Sequence, residues 1–106
     1  MLKQVRLSFD DILFDPEEAS DLLTNCMCRR RKMRFVGAGA ADNVLIAIFE
    51  DSITGSDSKL VLAPFKSSDP DTVGMEISER YERNYLLRSS FRIKSRVWAL
   101  YEVVGD

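Results

Sequence analysis

Five cations crowd one short stretch, Arg29-Arg30-Arg31-Lys32-Met33-Arg34, and no other segment concentrates charge so strongly. Placed at the end of a helix, such a cluster focuses a positive potential that attracts phosphates or acidic protein surfaces. Arg29, Arg30, Arg31, Lys32 and Arg34 are therefore the candidate binding residues. The plainer reading is a solvated helix terminus balanced by the acids between Asp10 and Asp21. Tyr81 and Tyr85 stand four apart, a spacing that stacks two rings along one helix face and can line a pocket beneath it. Asp10, Asp11, Asp15, Glu17 and Glu18 have the oxygens for metal or acid–base chemistry. They lack calcium-loop spacing, and helix capping accounts for Asp15 and its followers. Glu50 and Glu102 close equivalent strands and read as solvated strand ends.

What is missing narrows the chemistry further. The chain has no histidine, which removes Ser-His and Cys-His nucleophile pairs, an imidazole base and His-ligated zinc. Cys26 and Cys28, two apart on a helix, point about 200° from each other and are poorly placed to pair or share a metal. Val36-Gly37-Ala38-Gly39-Ala40-Ala41 resembles a dinucleotide-binding turn only superficially, because the third glycine and the following helix are absent. No catalytic residue, metal site or cofactor is expected, and the chain reads as a non-enzyme.

Composition sets the remaining bounds. At 106 residues, 45% apolar and 30% charged, the chain is expected to form one globular domain, residues 1–106. Its net charge is −2, with −2 on residues 1–51 and 0 on residues 52–106, and neither half shows the basic excess of a dedicated nucleic-acid binder. No apolar run reaches the ~20 residues of a membrane helix. The first residues lack the order of a secretory signal, so cytoplasmic residence without membrane attachment is expected.

The elements that must position these residues occur twice. Val5-Arg6-Leu7-Ser8-Phe9 leads to Asp15-Pro16, a helical pattern and Ala47-Ile48-Phe49-Glu50. Val61-Leu62-Ala63-Pro64-Phe65 leads to Asp69-Pro70, a second helical pattern and Ala99-Leu100-Tyr101-Glu102. Copies over 1–51 and 59–104 are expected, joined by the polar linker 52–58.

In the first copy, residues 3–9 alternate as a half-buried strand, and Ile12, Leu13 and Phe14 are expected to tuck inward along a connection. Asp15 caps a helix whose apolar face is Ala19, Leu22, Leu23, Cys26 and Met27, with Arg29 to Lys32 in its last turn. A strand begins at Met33, residues 37–43 connect, and Val44 to Phe49 form a buried strand. In the second copy, Lys59 to Phe65 is a strand, and Val73, Ile77, Tyr81, Asn84 and Tyr85 trace a helix stripe. Strands over 86–93 and 97–104 flank Lys94-Ser95-Arg96, which lacks the Gly or Asn of a tight hairpin. Trp98 and Tyr101 read as core.

Two β-α-β-β units predict an α+β fold: a mainly antiparallel sheet of about six strands with two helices on one face. Two small sheets packed together are the alternative. The strand–helix–strand–turn–strand order, with a last strand such as Val44-Leu45-Ile46-Ala47-Ile48-Phe49, resembles a group of short bacterial β-α-β-β domains of unknown function. Those domains usually carry a Gly-Trp pair before the middle strand, which neither Met33-Arg34-Phe35 nor Leu86-Leu87-Arg88 supplies. The resemblance implies a fold and no activity. The expected role is a protein-interaction or self-association module, with a protein partner or a homo-oligomer. The alternative is a binder of small anionic or aromatic ligands, or of nucleic acid, through the basic cluster.

Overall fold

The computed structural model describes residues 1–27, 32–53 and 57–105. Its first half contains β1 (Leu2–Ser8), α1 (Phe9–Phe14), α2 (Pro16–Asn25), β2 (Met33–Ala41) and β3 (Val44–Asp51). Its second half contains β4 (Lys59–Pro64), α3 (Pro70–Glu82), β5 (Tyr85–Ile93) and β6 (Arg96–Val103). The fold is α+β. The strands divide into two antiparallel three-stranded sheets of matching order, β1-β3-β2 and β4-β6-β5, instead of one continuous sheet of six.

The edges explain the division. β2 and β5 each break register at a bulge, between Phe35 and Gly37 and between Leu87 and Ser89. A bulge twists a strand away from regular pairing. The β4 edge is occupied by α2, as described below.

Local chemistry sets the element boundaries. Ser8 Oγ accepts from the Asp11 amide at 3.1 Å and starts α1 where a loop was expected. Its helical turn buries Phe9 and Ile12 and turns Leu13 and Phe14 outward, against the expectation that they tuck in. Asp15 Oδ1 accepts from the Glu18 amide at 3.0 Å, and Pro16 opens α2. That helix stops at Asn25, short of the basic run. β2 continues through the expected connection to Ala41. The turn is Asp42-Asn43 alone, both with positive φ, as a two-residue hairpin requires. Lys94 takes positive φ in the equivalent two-residue turn of the second half, so that hairpin is tight without Gly or Asn.

The layers stack in one direction. The inner face of the first sheet (Leu7, Phe35, Leu45, Ala47, Phe49) meets Ile12 and Leu23 from the helices and Met27 from the turn after α2. It shares the same cluster with Leu60, Leu62, Phe91, Ile93, Trp98 and Leu100 from one face of the second sheet. Phe9 and Phe91 stack across this junction with centroids 5.5 Å apart. The other face of the second sheet, with Ala99 and Tyr101, is covered by Val73 and Ile77 of α3. Trp98 and Tyr101 are core residues, as their apolar run predicts.

Candidate interaction surface

Of the predicted binding residues, Lys32, Arg34, Tyr81 and Tyr85 lie among the described residues. Arg29, Arg30 and Arg31 lie outside the described residues. Lys32 is exposed beyond the end of α2, with positive φ. Arg34 is paired with Glu50, its register partner on β3. Glu102, whose register partner is Leu86, is ion-paired at 2.8 Å with Arg88 from the β5 bulge, and Arg88 also lies 5.5 Å over the Phe35 ring. Both glutamates are thus ion-paired and are not free strand ends.

Tyr81 and Tyr85 do not share a helix face. Asn84 takes positive φ after α3 ends, and Tyr85 belongs to β5. Tyr81 points to solvent, whereas Tyr85 packs edge-on against Tyr101 at 5.7 Å under the Arg80 guanidinium. Burial pushes the Tyr101 hydroxyl above the ordinary tyrosine range, Glu76 adds to the rise and Arg80 opposes it. Among the described residues that hydroxyl and the Trp98 indole N–H have no partner.

A different feature stands out, and it begins with α2. Thr24 Oγ1 accepts from the Leu60 amide at 2.9 Å and donates to the Leu60 carbonyl at 3.2 Å. Ser20 Oγ accepts from the Leu62 amide at 2.9 Å and donates to the Pro16 carbonyl at 2.7 Å. The match is geometric. Four residues along a helix rise about 6 Å, close to the ~6.7 Å between alternate residues of a strand. Pro64, next in the alternation, has no N–H to satisfy. Two hydroxyls and a proline therefore close the β4 edge.

Among the described residues, the β1 edge has no such closure. Phe9 donates to the Asn43 carbonyl at 2.8 Å, continuing the β1–β3 register. Bonded and non-bonded positions alternate in an antiparallel pair, so Lys3, Val5 and Leu7 bond β3. The backbone groups of Leu2, Gln4 and Arg6 point away from the sheet. β1 runs its full length without a register break or a proline.

Among the described residues, nothing covers the outer face of the first sheet either. Val44, Ile46 and Ile48 of β3 lie on it, half-exposed, and belong to neither core cluster. Their neighbours are Gln4, Arg6 and Ser8 on β1 and Gly37, Gly39 and Ala41 on β2. A Cβ added at Gly37 or Gly39 would meet nothing within 4 Å, as expected of an uncovered face. The sequence predicts Val44 to Phe49 as a buried strand because the apolar run is unbroken, whereas only Leu45, Ala47 and Phe49 are fully buried and the other face is left partly exposed. A smaller apolar hollow of about 230 Å³ lies beside the α1–α2 elbow, where Phe14 and Leu22 are exposed among Asp11, Asp15 and Glu18.

Comparison with protein-family models, with characterised proteins and with solved structures gave no match. Among the described residues, no helix is long and apolar enough to cross a membrane.

Proposed function

We propose that the chain is a non-catalytic protein-interaction module that self-associates through the open side of its first sheet. One observation carries this reading: an outer face bearing Val44, Ile46 and Ile48 beside an edge strand whose outward backbone groups meet no partner among the described residues. The reading treats the two halves as copies of one β-α-β-β unit, in keeping with the resemblance to short bacterial domains of that order. The second-half positions matching Ile46 and Ile48 are Trp98 and Leu100, and the first half buries both. By the same logic the first sheet is a docking surface whose occupant comes from outside the fold. The basic cluster supports the ligand-binding alternative less well, because Arg34 is engaged by Glu50.

The test is sedimentation velocity over a wide concentration range. The mass of the wild-type protein is expected to double as concentration rises. Ile46→Lys, which sets a charge on the open face, is expected to weaken association while leaving the melting temperature nearly unchanged. A wild-type protein that stays monomeric at millimolar concentration would remove the reading.

A further inference from the structure

We infer that β1 pairs antiparallel with β1 of a second copy, joining the first sheets of two chains into one continuous six-stranded sheet; this rests on the self-association reading above. The inference comes from comparing the four sheet edges. The β4 edge is closed by Thr24 and Ser20 and lacks an amide at Pro64. The β2 and β5 edges are bulged. β1 alone is regular, without proline and, among the described residues, unsealed, the kind of edge that templates a further strand.

Geometry selects the register. Leu2, Gln4 and Arg6 direct their amides and carbonyls outward, and Gln4 is the middle of the three. A two-fold axis through the Gln4 pair sets Leu2 of one copy beside Arg6 of the other, so all three positions bond. The strands need no overlap at Ser8, whose hydroxyl is committed to starting α1. The cations of β1, Lys3 and Arg6, are of the type that discourages edge pairing. In this register Lys3 faces Val5 and Arg6 faces Leu2, so no like charges are opposed. The outer faces of the two copies then lie side by side, with Leu2, Gln4 and Arg6 of both chains between the two Ile46–Ile48 strips.

A bonded antiparallel pair sets its Cα atoms about 5.5 Å apart, within disulfide range. Gln4→Cys in a Cys28→Ser background is therefore expected to form a disulfide-linked dimer under mild oxidation. The matched control Glu79→Cys, on exposed α3, is expected to stay monomeric. Gln4→Pro removes an amide that β3 does not use, and is expected to raise the dimer dissociation constant at least about tenfold with the circular dichroism spectrum preserved. If the wild-type protein dimerises and Ile46→Lys disrupts the dimer, but Gln4→Cys does not cross-link, strand pairing is overturned and face-to-face association stands. A monomeric wild-type protein overturns both.

Discussion

Gln4 and Arg6 occupy the same places in the first half that Leu60 and Leu62 occupy in the second, each pair at alternate positions on the edge strand. Their fates are opposite. The outward backbone of Leu60 and the Leu62 amide are bonded by Thr24 and Ser20, whereas the outward groups of Gln4 and Arg6 face away from the sheet. The helices explain the difference. α2 lies against β4 of the other half, so the helix of the first half seals the edge of the second. At the α3 positions matching Ser20 and Thr24 stand Gly74 and Ser78, and the Ser78 hydroxyl bonds the Gly74 carbonyl of its own helix. Two stretches with the same plan thus acquire different environments, because α2 packs along β4 and presents two hydroxyls to it, whereas α3 packs against β5.

The strongest way to break this comparison is to remove matched side chains from the two central strands. Leu100 is fully buried in the shared core, whereas Ile48, its counterpart, lies half-exposed on the open face. Leu100→Ala is expected to cost about 3 kcal/mol, as buried leucines do, and Ile48→Ala about 1 kcal/mol or less. Urea denaturation of both variants below the association threshold measures this. Equal losses would mean that the outer face of the first sheet is covered after all.

The next effect in size concerns the sealed edge. Ser20→Ala leaves the buried Leu62 amide without a partner, and Thr24→Val does the same to both polar groups of Leu60. Each change is expected to destabilise by about 1–3 kcal/mol. Gly74→Ala, at the site matching Ser20, has space for its Cβ within a helix and is expected to stabilise by up to about 1 kcal/mol. The double variant Ser20→Ala/Thr24→Val should also speed amide exchange at Leu60 and Leu62. Unchanged exchange there would show that the hydroxyls do not close the edge.

How far the sequence reveals this arrangement depends on what each residue does. Asp15-Pro16 and Asp69-Pro70 are legible because capping is local, and both begin helices as their chemistry predicts. The apolar run ending at Glu102 predicts a buried strand, and β6 is buried on both faces. Ser20 and Thr24 are illegible because a hydroxyl on a helix reads as solvated until a strand edge is placed beside it. The same contact exposes Leu22, which helical periodicity assigns to the core, since α2 meets an edge at the flank of its apolar stripe. Tyr85 continues the periodicity of α3 in sequence, but the positive φ of Asn84 breaks the helix first. The division into two sheets is a tertiary outcome of bulges and of one sealed edge, and neither has a period to detect.

The smallest effect tests the other helix. Tyr101 stands where the first half has Phe49, and both rings are fully buried. The Tyr101 hydroxyl has no partner among the described residues, so Tyr101→Phe deletes an unsatisfied group and is expected to be neutral or to stabilise by up to about 1 kcal/mol near neutral pH. The pH dependence follows from the raised folded value, which burial causes first and Glu76 reinforces against Arg80. The native state favours the protonated phenol. Its contribution is fully present below the ordinary value of 10.0 and is lost as pH rises through the higher folded value. Wild-type stability should therefore fall on the alkaline side of 10.0 more steeply than that of Tyr101→Phe. Identical alkaline limbs would mean that the hydroxyl reaches solvent, and that α3 covers its sheet less completely than the packing of Val73 and Ile77 indicates.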